Sequence, residues 1–123
     1  MPLEWLDHVN IRTARLEAMT DFYQRVLGLK LGRRPPFSFG GAWLYLNDQA
    51  VLHLVETESA PAGSDPGIEH FAFRATGLDA LLSRLESASV AYRRAVVPET
   101  GLQQLHFNDP DGNHVEVGFL GEG

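Results

Sequence analysis

Leu6-Asp7-His8-Val9-Asn10-Ile11-Arg12-Thr13-Ala14-Arg15-Leu16-Glu17-Ala18 is answered later in the chain by Ile68-Glu69-His70-Phe71-Ala72-Phe73-Arg74-Ala75-Thr76-Gly77-Leu78-Asp79-Ala80. The offset is 62 residues, and His8/His70, Arg12/Arg74, Leu16/Leu78, Glu17/Asp79 and Ala18/Ala80 all keep it. Asn47-Asp48 returns as Asn108-Asp109 at an offset of 61, and the strand-like segments that follow carry His53 and Glu116, 63 apart. A repeated unit with a metal-type residue at both ends of each copy suggests one composite site.

Outward from the repeat, residues 4–11 alternate as a strand does, with Leu6, His8 and Asn10 on one face and Val9 and Ile11 on the other. Thr13 is placed to cap a helix whose apolar positions Leu16, Met19, Tyr23, Val26 and Leu27 recur at helical spacing until Gly28 stops it. A short strand near 29–34 runs into Pro35-Pro36, and 42–47 with 50–56 read as a hairpin through Asn47-Asp48-Gln49. Residues 57–67, rich in Pro, Gly and Ser, form a linker. The order then repeats: a strand at 68–74, and a helix at 77–88 opened by Thr76 with Leu78, Leu81, Leu82 and Leu85 on one stripe. Strands near 90–96, 102–108 and 113–119 follow, the last two joined by Asp109-Pro110-Asp111-Gly112. The expectation is an α+β fold of two tandem βαβββ modules in one domain over 1–123: module one at 1–56, the linker at 57–67, module two at 68–123.

A 123-residue chain buries roughly two thirds of its unfolded surface, whereas a half of about 60 residues is marginal alone. The halves are therefore expected to share a core or to exchange partners with a second chain, which favours a homodimer. A formal charge of −6 argues against nucleic acid or an anionic membrane as partner. With no cysteine, any metal site must use imidazole, carboxylate or water. No long apolar run and no signal-like start is present, so a cytoplasmic protein acting on a small molecule is expected.

Strand parity selects the candidate ligands. His8 opposes Val9 and Ile11, His70 opposes Phe71 and Phe73, His53 opposes Leu52 and Leu54, and Glu116 opposes Val115 and Val117. All four point away from the side chains that pack under the helices. Three imidazoles and one carboxylate suit one divalent ion: nickel, zinc, iron, manganese or cobalt. A one-residue slip of register would offer Glu56 instead of His53. On the same parity His106, with Gln104, opposes Leu105 and Phe107 and is the candidate acid or base. Asn10, Trp43, Tyr45 and Arg74 are candidate substrate contacts, Arg74 for an anionic group and the aromatics for an apolar part, with Trp43 equally able to be core. His114 reads as rim or surface. No nucleophile elbow, phosphate loop or dinucleotide fingerprint occurs.

Leu6-Asp-His-Val-Asn-Ile, Asp21-Phe-Tyr-Gln-Arg-Val-Leu-Gly-Leu, Ile68-Glu-His-Phe-Ala-Phe and Phe107-Asn-Asp-Pro-Asp-Gly-Asn-His-Val-Glu-Val together resemble the vicinal oxygen chelate superfamily, which includes glyoxalases, bleomycin-binding proteins and extradiol dioxygenases. That resemblance implies a curved eight-stranded cup around one divalent ion, usually in a homodimer. By position, His8, His70 and Glu116 match the shared ligands and His53 the fourth, where glyoxalases and epimerases normally carry Glu or Gln. The implied chemistry is chelation of two adjacent substrate oxygens with Lewis-acid stabilisation of developing charge, which makes a glyoxalase-like lyase or isomerase the leading expectation. A ring-cleaving dioxygenase on ferrous iron, assisted by Tyr45 and a cavity histidine, is the second. A binding protein for drug-like ligands is the third, disfavoured because that branch largely lacks the ligands present here.

Overall fold

The computed structural model describes residues 1–61 and 66–120, and the chain divides into two compact units, Met1–Ala62 and Gly63–Gly123. In the first unit the order is β1 (Val9–Thr13), α1 (Leu16–Arg25), β2 (Lys30–Gly32), β3 (Gly41–Leu46) and β4 (Gln49–Glu56). These strands form one sheet in the order β1-β4-β3-β2, with β1 parallel to β4 and the other neighbours antiparallel. The second unit repeats it with β5 (His70–Arg74), α2 (Leu78–Ser87), β6 (Tyr92–Val96), β7 (Gln103–Asn108) and β8 (His114–Phe119), ordered β5-β8-β7-β6. The expected α+β class and the two βαβββ modules are thus present.

In each unit the helix buries its stripe on one face of the sheet and leaves the other face to polar residues. Met19, Phe22 and Tyr23 of α1 and Val26 just after it are buried with Leu44, Leu52 and Leu54, and Leu78, Leu81 and Leu85 of α2 with Leu105, Phe107, Val115 and Val117. Leu16, Leu27 and Leu82, expected on these stripes, are only half-buried. Leu54→Ala removes a side chain with no solvent exposure from the first core and is expected to lower stability by about 2–5 kcal/mol, read from urea denaturation.

Local details depart from the sequence expectations for identifiable reasons. The first strand begins at Val9, not residue 4, because Val51 stands as an extra residue where the β3–β4 register shifts between Leu44 and Tyr45, and β1 pairs with β4 only from Leu52 onward. Thr13 does not cap α1: it ends β1, and its hydroxyl accepts the Arg15 N–H at 2.9 Å to shape the turn into the helix. Likewise Gly77, in a left-handed conformation at φ 87°, precedes α2 in place of the expected Thr76 cap. α1 ends as expected: Gly28, at φ 72°, lets the N–H groups of Gly28 and Leu29 reach the carbonyls of Gln24 and Tyr23. The β3–β4 hairpin closes on two residues, Asn47 at φ 56° and Asp48, so Gln49 belongs to β4. Among the described residues no helix is long and apolar enough to cross a membrane.

Candidate metal centre

In the first unit the polar face of the sheet gathers His8, His53 and Trp43. The register pairs His53 with Asn10 on one side and with Trp43 on the other, while Glu56 pairs with Thr13, which is buried. His53, and not Glu56, therefore faces this side. The His53 ring lies between two others, stacked on His8 at 3.8 Å and on Trp43 at 3.9 Å, tilted by only 12° and 11°. Burial, then the nearby His8, holds the His53 pKa below the usual imidazole value, which favours the neutral form of the ring. One of its nitrogens is bonded to the Ala50 backbone, and His8 Nδ1 lies 2.7 Å from Asp7 Oδ2. The Gln49 side chain in turn donates to the Asp7 carbonyl, tying the segment before β1 to the start of β4.

In the second unit six side chains close a ring of contacts. A carboxylate only accepts, so Gln104 Nε2 donates to Glu116 Oε2 at 3.1 Å and turns its own Oε1 toward His106 Nε2, which donates to it at 3.0 Å. His106 Nδ1 is left as an acceptor and takes the His114 Nε2 proton at 2.9 Å, while His114 Nδ1 donates to Glu69. His70 Nδ1 donates to the other Glu69 oxygen at 3.0 Å. His70 Nε2 then faces Glu116 Oε1 at 3.4 Å, longer than an ordinary hydrogen bond. With Nδ1 given to Glu69, a neutral His70 ring offers Nε2 beside this carboxylate oxygen, a nitrogen and an oxygen that one cation could share.

Hydrogen bonds from His114 and then His70 hold the Glu69 pKa below its usual range. Burial, then the Arg93 guanidinium, keeps His106 below its usual value and favours the acceptor role of Nδ1. His114, expected at the rim, is instead a half-buried member of this ring, because parallel β5 and β8 pair it with His70.

Each expected imidazole ligand thus has one nitrogen bonded to an oxygen, the arrangement that fixes tautomer and ring orientation at metal sites, but the face-to-face stack of His8 and His53 holds their in-plane lone pairs side by side rather than convergent. Asp7 and Glu69 supply that oxygen at matching places in the two modules, one residue before each histidine and 62 residues apart. Both stand at the same place in the repeat, where nothing but their position before a histidine marks them in the sequence. Glu69, His70 and His114 also form a compact donor group, with one ligand atom from each lying within 4.8 Å of the others. The tight Asp109-Pro110-Asp111-Gly112 turn serves this side structurally: buried Asp109 accepts the Asp111 and Asn113 N–H groups and aims β8 from His114 onward.

The candidate substrate contacts divide. Asn10 and Arg74 are exposed on the polar faces of their sheets, Arg74 in register with Gly118. Trp43 is taken up by His53, and the Tyr45 hydroxyl donates to the Arg33 carbonyl at 2.5 Å.

Comparison with known proteins matches residues 5–117 to a family model described as Glyoxalase/Bleomycin resistance protein/Dioxygenase superfamily. A relative from Arabidopsis thaliana named Glyoxylase I 4 is 35% identical over 120 residues, covering 91% of this chain and 68% of the relative. Biphenyl-2,3-diol 1,2-dioxygenase 2 from Rhodococcus globerulus is 30% identical, and the alignment spans 89% of this chain but only 60% of that enzyme. Among solved structures, lactoylglutathione lyase from Agrobacterium tumefaciens superposes with a TM-score of 0.72 at 25% identity, covering 97% of this chain and 96% of the other.

Proposed function

This chain belongs to the Glyoxalase/Bleomycin resistance protein/Dioxygenase superfamily, and we propose that it is a metal-dependent enzyme binding two adjacent oxygens of a small carbonyl or hydroxy compound, with glyoxalase-like lyase or isomerase chemistry. The proposed ligands are His8, His53, His70 and Glu116, and the proposed cofactor is one divalent ion of nickel, zinc, iron, manganese or cobalt. The observation that carries this reading is the opposition of His70 Nε2 and Glu116 Oε1 at 3.4 Å, in a ring whose other contacts each have a donor. His8 and His53, each with one nitrogen already held by an oxygen, would add two imidazoles once their stacked rings turn so that the free nitrogens converge. Three nitrogens and one carboxylate with no thiolate suit a borderline divalent cation.

When bound, such an ion supplies Lewis-acid stabilisation of negative charge developing on the substrate oxygens. The chain's own residues do the rest in this proposal. Gln104 holds Glu116, and Asp7 and Glu69 hold His8 and His70. His106, its pKa lowered by burial and then by the Arg93 guanidinium, is the proposed acid or base: Nδ1 gives up the His114 hydrogen bond, takes a proton from the substrate and returns it to the product. Asn10 and Arg74 contact the substrate, and Trp43 keeps His53 in place. A homodimer is the proposed assembly.

Protein purified without chelators is expected to carry about one ion per chain and to lose thermal stability on dialysis against a chelator, regaining it with one added equivalent. Elemental analysis and a thermal-shift titration check this, and a chain that takes up no ion would refute the reading. The metal-loaded protein should then be offered S-lactoylglutathione and biphenyl-2,3-diol, the compounds named by two of its relatives. Turnover of the first supports the lyase, and oxygen-dependent cleavage of the second by an iron-loaded sample supports the dioxygenase alternative.

A further inference from the structure

Between β2 and β3, the loop after Pro35-Pro36 carries Phe37 and Phe39, which remain 45% and 47% exposed. Their rings stack on each other at 5.0 Å with an interplanar angle of 11°. The Arg34 guanidinium carbon lies 5.0 Å from one ring centroid and 5.3 Å from the other. Aromatic surface left in water is common one residue at a time. Two stacked rings sharing one cation are a built arrangement.

The loop is also fixed in shape. Arg34 Nη2 donates to the Phe39 carbonyl at 2.7 Å, the Phe37 N–H donates to the Pro35 carbonyl at 2.8 Å, and the Tyr45 hydroxyl holds the Arg33 carbonyl. Gly41 lies against the Leu54 carbonyl and beside the arginine: a Cβ there would clash with the Leu54 carbonyl oxygen and meet Arg34 Nη2 at 3.0 Å. Among the described residues no carboxylate pairs with Arg34, although acidic side chains outnumber basic ones 16 to 10. Phe37 also approaches Trp43 at 6.4 Å, and Trp43 stacks on His53.

We propose that Arg34, Phe37 and Phe39 form a subsite for a flat aromatic group bearing a negative charge, the ring stacking on the phenylalanines and the anion pairing with the guanidinium. A shelf already formed needs little ordering on binding, and a guanidinium among aromatic faces favours a planar anion over an aliphatic or neutral group. That the subsite serves the substrate of the metal centre rests on the metal-dependent reading; the binding itself does not.

Titration calorimetry of the full chain with 2-naphthoate, with and without prior chelator treatment, tests this. Saturable binding is expected in both states. Phe37→Leu and Phe39→Leu, which keep an apolar side chain and the fold, should each weaken it about three- to tenfold. Arg34→Gln should weaken it about fivefold, and 2-naphthalenemethanol and cyclohexanecarboxylate should bind correspondingly less tightly. The proposal is overturned if naphthoate gives no saturable heat, if the variants with wild-type melting temperatures bind it unchanged, or if either control ligand matches it. Conversion of a dimer to a monomer by the two Phe→Leu changes in a sedimentation run would assign the shelf to a second copy of the chain instead. If naphthoate binds the chelator-treated protein and no ion ever does, the metal reading fails and the subsite stands; an ion bound without naphthoate gives the reverse.

Discussion

His70→Ala is expected to lower divalent-ion affinity by more than about a hundredfold and to remove turnover with it. The floor comes from the neighbours: substitution of groups that only orient a ligand typically costs 10–100-fold in metal affinity or activity, so loss of a ligand atom should exceed that range. His70 lies between two carboxylates, donating from Nδ1 to Glu69 and presenting Nε2 to Glu116. Alanine removes both functions at an exposed strand start, where little packing is lost. Asp7→Asn and Glu69→Gln should fall within the tenfold to hundredfold band, because an amide can hold the same nitrogen but no longer dictates which one carries the proton. Cobalt-loaded protein gives the readout, its visible absorption reporting ligand geometry while elemental analysis reports occupancy. A different outcome identifies a different ion position: if Glu69→Gln and His114→Ala empty the site while Glu116→Gln does not, the cation sits on Glu69, His70 and His114, whose donor atoms are close enough to share it.

The repeat made the architecture legible because its period is geometric. Strand alternation and helical spacing depend on residue type at fixed intervals, and the buried stripe at Met19, Tyr23 and Val26 follows them, as does the paired arrangement of Leu78, Leu81 and Leu85. What parity could not supply was register. His53 or Glu56 was a matter of one residue, decided by the extra residue at Val51 and by the pairing of Trp43 with His53, neither of which leaves a mark in composition. The ends of the elements were obscured for a similar reason: Gly77 and Arg15, not the threonines nearby, stand at the helix starts, since the hydroxyl of Thr13 is used in the turn before the helix.

The polar partners of the histidines were hidden differently. Asp7 and Glu69 sit on the parity opposite the histidines, so a ligand search by face discards them; they reach the rings from the side, at Nδ1. His114 looked peripheral because it follows a turn, yet the parallel β5–β8 pair sets it beside His70 and antiparallel β7 sets His106 beside Glu116. Three strands, two of them distant in sequence from the third, must be in register before those six side chains can close. Sequence distance conceals such a ring, and sheet topology reveals it.

His106→Gln is expected to lower kcat about 10²–10⁴-fold while leaving ion content and KM close to wild type, the size of effect associated with a proton-transferring side chain. Glutamine is the informative replacement. Its amide nitrogen can donate to Gln104 Oε1 as His106 Nε2 does, and its carbonyl can accept from His114 Nε2 as His106 Nδ1 does, so the ring of contacts survives. What glutamine lacks is a nitrogen that takes up and releases a proton near neutral pH. His106→Ala should lose the same kcat and additionally weaken the ion several-fold, because Gln104 is then free to turn away from Glu116. Near-full activity in the glutamine variant with loss only in the alanine variant would make His106 a positioning residue that acts through Gln104 and Glu116. Loss of the ion in both variants would place His106 among its ligands.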